Sequence, residues 1–120
     1  MTGTRQALGR WGEDLAAAYL QQRGMVILER NFRGKRGEVD IIARDGDDLV
    51  FVEVKTRSSC TFGTPQEAVN RRKQQQIIHL AEIYLQSHPS RLQPRFDVVA
   101  VTAAPHAEPL VEHLPNAFTV

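Results

Sequence analysis

The turn signal Asp45-Gly46-Asp47-Asp48 constrains this chain more than any other stretch. It separates residues 38–44 (EVDIIAR) from residues 49–55 (LVFVEVK), two runs rich in β-branched and apolar residues that read as strands. A two-residue loop at Gly46-Asp47, with glycine first as a type II′ turn prefers, pairs position 45 with 48. Counting outward then sets Asp40 opposite Glu53 and Glu38 opposite Lys55. Sliding the turn to Asp45-Gly46 makes Asp40 and Glu53 diagonal neighbours on the same face; only a change of parity separates them. The other face carries Val39, Ile41 and Ala43 against Val50, Val52 and Val54, an apolar set expected to be the core face.

Three carboxylates and an ammonium on such strands are costly to bury unless they pair or hold a cation. Opposed side chains have Cβ atoms roughly 5 Å apart, close enough for Asp40 and Glu53 to share one divalent ion. A hydrolytic metal site is the expectation.

The rest of the composition removes alternatives. With 120 residues, 42% hydrophobic and 24% charged, the chain has room for one core, so positions 1–120 are expected to form a single domain. Net charge is +1, so any basic surface for a polyanion must be local. The single Cys60 excludes an intramolecular disulfide and a cysteine-based zinc site. His79, His88, His106 and His113 lack ligand spacing and are expected to be structural or solvated. No apolar leader or membrane-length run is present, which points to a cytoplasmic protein without a membrane partner.

Along the chain, residues 4–23 read as a helix whose stripe is Leu8, Trp11, Gly12, Leu15, Ala18 and Tyr19, with Trp11 expected in the core. Glu13 lies at the border of that stripe. Residues 25–33 suggest the first strand, and Gly34-Lys35-Arg36-Gly37 turns into the second. A second helix is expected from Thr64, with Pro65 at its first position and Glu67 closing a capping box, to about Ser87. Its apolar stripe (Val69, Ile77, Leu80, Ala81, Tyr84) is interrupted by Lys73, which must snorkel out or reach acidic groups on the sheet. Residues 95–102 read as a buried fourth strand, opening with a structural Arg95–Asp97 pair. Residues 109–114 are a candidate edge strand, and the chain from Pro115 carries no readable signal. The order α-β-β-β-α-β implies an α/β sandwich on a mixed sheet. Arg71 and Arg72 beside Lys73, Arg57 after the third strand, and Arg33, Lys35 and Arg36 at the far end of the hairpin are candidate phosphate contacts.

A helix bearing Glu, a strand bearing Asp and a strand bearing Glu-x-Lys resemble the PD-(D/E)xK nuclease core of restriction enzymes and archaeal Holliday-junction resolvases. More narrowly, WGEDLAAAYL, NFRGKRGEVDIIARD, LVFVEVKTR, FGTPQEAV and RFDVVAV together resemble the YraN family of bacterial predicted endonucleases. The resemblance runs over roughly residues 5 to 118. It implies a restriction-endonuclease-like fold, with Glu13 as the helix carboxylate, Asp40 as the metal-ligand aspartate, Glu53 and Lys55 as the ExK pair, and Lys73 or Gln74 as the accessory polar residue. Val39 stands where the motif has proline.

The implied reaction is phosphodiester hydrolysis assisted by Mg²⁺, with Mn²⁺ as a substitute, on DNA more than RNA. Asp40 and Glu53 would hold the ion, joined by Glu13 and the Val54 backbone carbonyl, with Glu38 as an accessory group. Lys55 would orient the attacking water or offset transition-state charge. A homodimer would enlarge the footprint to match two strands of a junction, though the sequence marks no dimer interface. The competing expectation is a non-catalytic nucleic-acid-binding or adaptor protein on the same fold, and a third is an ion cluster that only stabilises the sheet.

Overall fold

In the computed structural model, which describes residues 5–58, 69–104 and 106–120, the Gly46-Asp47 turn forms as its chemistry requires. Strand β2 (Gly37–Asp45) returns as β3 (Asp48–Arg57), with Asp45 paired to Asp48. Gly46 has φ of 61° and Asp47 does not share its positive sign, the pattern of a II′ turn. Before the hairpin come helix α1 (Arg5–Gln22) and strand β1 (Val26–Gly34); after it come helix α2 (Arg71–Ser87), β4 (Gln93–Thr102) and β5 (Leu110–Phe118). The sheet order is β1-β2-β3-β4-β5, antiparallel except for β3 and β4, which run parallel with α2 as the crossover. This is a mixed five-stranded α/β sheet with the expected order, extended by a full-length edge strand. β5 reaches Phe118, past the point where sequence signal ends, and Phe118 stacks on Phe96 at 5.2 Å. Among the described residues, no helix is long and apolar enough to cross a membrane.

Both faces of the sheet are covered, a correction to the expected split into one apolar and one polar face. Ile41, Ala43, Val50, Val52, Val99 and Val101 pack under α1, on Ala16, Ala17 and Leu20. Ile42, Leu49, Phe51, Phe96 and Val98 pack under α2, on Ile77, Leu80, Ala81 and Tyr84. Central strands covered on both sides read as continuous apolar runs, and Val50-Phe51-Val52 and Val98 to Val101 are such runs. Val39 does not share the face of Ile41; it joins the α2-side core. The alternation therefore breaks at Asp40.

Helix α1 is rotated relative to its apolar stripe. Gly12, Glu13, Ala16, Ala17 and Leu20 are buried, whereas Ala18 is exposed and Trp11, expected in the core, is 37% exposed. The cause is the close approach at Gly12, where a Cβ would lie 2.0 Å from Thr56 Oγ1. Only glycine lets the helix backbone settle on β3 there, and that contact turns Glu13 inward. Helix α2 is capped by Asn70, whose side chain accepts from the Lys73 N–H at 2.9 Å. Asn70 is extended (φ −75°, ψ 170°), so α2 starts at Arg71 and not at the expected Thr64-Pro65-Glu67 signal, which lies outside the described residues.

Candidate functional site

The β2–β3 ladder runs from Asp45↔Asp48 to Ile41↔Val52 and stops there. Beyond it, the Asp40 carboxylate takes the place of a backbone acceptor: Oδ2 accepts the Val54 N–H at 2.7 Å. On the other side, Arg30↔Ile41 and Phe32↔Val39 pair normally while Asn31, between them, has φ of 55°. Asp40 is thus seated where the two neighbouring ladders are both interrupted, which accounts for the change of face between Val39 and Ile41. Glu38 consequently does not oppose Lys55. It pairs with Arg33 across β1, as a correction to the simple count along the hairpin.

Asp40 and Glu53 stay close enough despite the break for the Glu53 carboxyl to act on the ionisation of Asp40. Burial, and then the charge of Glu53, push the Asp40 carboxyl up to about 8, against the opposing pull of the Val54 N–H. Glu53 is 3% exposed. Its Oε2 lies 3.6 Å from Lys55 Nζ and 3.6 Å from Lys73 Nζ, so the lysine in the α2 stripe does reach the sheet. Its Oε1 is enclosed, and among the described residues it meets no donor when Asp40 is ionised. A proton kept on Asp40 or a cation between the two carboxylates would each complete this arrangement.

Glu13 reaches the same region from α1 but is committed elsewhere. Its Oε1 accepts from Arg30 Nε at 2.9 Å and its Oε2 from Asn31 Nδ2 at 3.0 Å. Asn31 Nδ2 also donates to Glu38 Oε2 at 3.0 Å, so one amide joins both flanking carboxylates. Arg30 reaches Asp14 as well, at 2.6 Å. Among the described residues, no group of three or more His, Cys, Asp or Glu side chains is set for a metal ion, and Glu13 and Glu38 are engaged by these partners. Two carboxylates with an unsatisfied buried oxygen nonetheless fit a hard, oxygen-seeking cation such as Mg²⁺, which keeps several waters of its own. Mn²⁺ fits the same donors.

A cavity of about 910 Å³ opens on the Asp40 side of the site, lined by Glu13, Asn31, Arg33, Glu38, Asp40 and Val54 but not by Glu53, Lys55 or Lys73. Arg57 lines it too, while bonding to Thr102 Oγ1 at 3.2 Å. Gln74 is not drawn in: its Nε2 donates to the Val69 carbonyl at 3.0 Å, leaving Lys73 as the α2 residue in the site. Lys35, Arg36 and Arg72 line a different cavity, and Arg71 is exposed on α2. Asn31 and Arg30 were not singled out from sequence. The available signal was an asparagine in a strand run, since asparagine tolerates positive φ better than other non-glycine residues.

The expected Arg95–Asp97 pair is part of a separate network at the far side of the sheet. Asp97, fully buried, accepts from Arg95 at 2.9 Å, His113 Nε2 at 2.7 Å and the Asn116 N–H at 2.9 Å. His113 is therefore structural.

Fold and site together define a mixed-sheet α/β protein with a carboxylate–lysine centre where its central hairpin splays. The chain belongs to the uncharacterised protein family UPF0102, whose family model matches residues 12–101, from Gly12 to the end of the β4 core. Its relatives include a UPF0102 protein of Syntrophotalea carbinolica, 54% identical over 121 residues and covering 100% of this chain and 98% of the relative. Those of Rhodococcus opacus and Dictyoglomus turgidum are 52% and 47% identical, covering 93% and 92% of this chain and 96% of each relative.

Proposed function

We propose that this chain is a divalent-cation-dependent nuclease of the PD-(D/E)xK type that hydrolyses phosphodiester bonds in DNA. The observation that carries the reading is the Asp40–Glu53 pair: two adjoining carboxyls, one oxygen of Glu53 buried without a donor, and two lysines at 3.6 Å. Asp40 and Glu53 would hold Mg²⁺ or Mn²⁺, with the Val54 carbonyl as a further ligand. Bound there, the ion would supply Lewis acidity to a phosphoryl oxygen and acidify a water. Lys55, about two-fifths exposed, reaches both Glu53 and solvent, and is the group suited to offsetting charge as it develops on the phosphate. Lys73 does the same from α2. Glu13, at the cavity wall, is held by Arg30 and Asn31 and would have to exchange one of these partners to join the ion. DNA is favoured over RNA by the motif resemblance, and branched or otherwise structured DNA follows if that resemblance extends to substrate.

The test is a panel of linear, nicked, flapped and four-way DNA, with RNA counterparts, incubated with Mg²⁺ or Mn²⁺. Cleavage by the wild type should fall roughly 10²–10³-fold or more in Glu53→Gln and Lys55→Ala. Absence of cleavage of every form by the wild type would overturn the enzymatic reading. The second reading, a non-catalytic nucleic-acid-binding protein on this fold, draws on one observation, the commitment of Glu13 to Arg30 and Asn31. It predicts DNA binding without any cation affinity that depends on Asp40 and Glu53.

A further inference from the structure

A second cavity, of about 720 Å³, lies between the tip of the β1–β2 hairpin and the N-terminal half of α2. Gly34, Lys35 and Arg36 form one wall; Arg72, Gln75, Gln76 and His79 form the other, over an apolar floor of Leu80 and Ile83. The two elements are held tightly together, because a Cβ at Gly34 would lie 2.4 Å from Leu80 Cδ2. Among the described residues, none of the lining side chains is acidic. Among the described residues, Lys35, Arg36 and Arg72 have no carboxylate within ion-pairing distance, although acidic partners engage most of the other arginines near the sheet. Three cations thus converge on one groove, uncompensated among the described residues.

A second observation points the same way. The first turn of α2 is Arg71-Arg72-Lys73 and contains no acidic residue. Cations at a helix N-terminus oppose the macrodipole and repel one another, an arrangement that favours a bound anion. Lys73 is answered by Glu53, but Arg72 lines the groove with no carboxylate partner among the described residues. Gln75 and Gln76 add neutral donors and acceptors suited to phosphate and sugar oxygens.

The hairpin divides the cationic residues between two cavities. Arg33 lines the cavity that holds Asp40, where arginines and carboxylates are mixed, whereas Lys35 and Arg36 line the basic one. Two residues along a strand span roughly 7 Å. A polyanion crossing the hairpin tip would therefore have one phosphate beside the carboxylate site and the next stretch of its backbone in the groove. We infer that the groove of Lys35, Arg36, Arg72, Gln75 and Gln76 binds the phosphodiester backbone of DNA outside the reacting position, a subsite separate from the Asp40–Glu53 centre. This rests on the proposed DNA-directed function and names the part of the surface that tracks the substrate.

The experiment is fluorescence anisotropy with a labelled DNA duplex in EDTA, titrated at several salt concentrations, so that neither cation binding nor cleavage enters. Each lost phosphate contact lowers the slope of log K against log salt by roughly 0.9. The triple variant Lys35→Ala/Arg36→Ala/Arg72→Ala should lose about two to three units of slope. Gln75→Ala/Gln76→Ala should weaken binding with the slope unchanged. All five side chains project from the surface of the groove, and matched melting curves establish that the variants are folded. Inorganic phosphate and a mononucleotide are added as competitors at equal total phosphate. If either displaces the duplex as well as unlabelled duplex does, the groove takes a small phosphate and the backbone assignment is wrong. If the wild type binds and the triple variant keeps its slope, the groove is excluded while the nuclease reading stands. If the wild type binds no duplex, the groove assignment falls, and the nuclease reading is decided separately by the cleavage panel.

Discussion

Replacing Asp40 by asparagine tests the electrostatics of the site without touching its scaffold. Asparagine keeps an oxygen to accept the Val54 N–H, the bond that stands in for the interrupted ladder. It removes the ionisation that burial and Glu53 oppose. Burial and Glu53 push the wild-type carboxyl up from its ordinary 3.8 to about 8, so the folded protein holds a proton there that the unfolded chain has released. Stability linked to this group is fully present below about pH 4 and is lost as pH rises toward 8; above that the loss is complete. Each unit corresponds to about 1.4 kcal/mol, which makes the total on the order of a few kcal/mol. For a chain of this size that amounts to a melting-temperature difference of roughly 10 °C. The assay is thermal unfolding by circular dichroism in EDTA, from pH 5 to pH 9. Asp40→Asn should melt increasingly above the wild type as pH rises, with the two converging toward pH 5. Parallel curves at all pH values, or a variant less stable at pH 9, would refute the reasoning.

Two further predictions concern the residues that frame the site. Asn31→Gly keeps the positive-φ backbone and deletes the amide that joins Glu13 to Glu38, whereas Asn31→Ala also strains the backbone; Ala should be less stable than Gly by about 1 kcal/mol in chemical denaturation. Asp97 opposes the same logic: burial would raise its carboxyl, but hydrogen bonds from His113, Arg95 and the Asn116 N–H win and hold it below the usual range. Its contribution is therefore present above the unfolded value near pH 4 and lost as pH falls through the lower, folded one, and Asp97→Ala, which leaves Arg95 and His113 facing a void, should cost about 3–5 kcal/mol by urea titration at pH 7.

Much of this site was legible because turn chemistry is local. Gly46 needs a positive φ, which sets the loop length, and loop length sets the register that brings Asp40 toward Glu53. Lys73 was legible because a lysine inside the Ile77, Leu80, Tyr84 stripe has few places to go. The interruption at Asp40 was not, because it depends on Asn31 in a neighbouring strand and on a side-chain acceptor for Val54. The orientation of α1 was hidden for a related reason. Hydrophobic periodicity gives weight to Trp11 and little to Gly12, yet it is the missing side chain of Gly12 that determines which face meets β3. The start of α2 was misplaced because Thr64-Pro65 carries a strong N-terminal signal, whereas the cap of the described helix is Asn70.

The central claim is that Asp40 and Glu53 together hold a divalent cation, and isothermal titration calorimetry of the metal-free protein with Mg²⁺ and Mn²⁺ at pH 8 tests it most directly. The wild type should bind saturably, with proton release that grows as the pH is lowered below 8, and both Asp40→Asn and Glu53→Gln should lose that binding. A wild type that binds neither ion at millimolar concentration, or variants that bind as the wild type does, would contradict it.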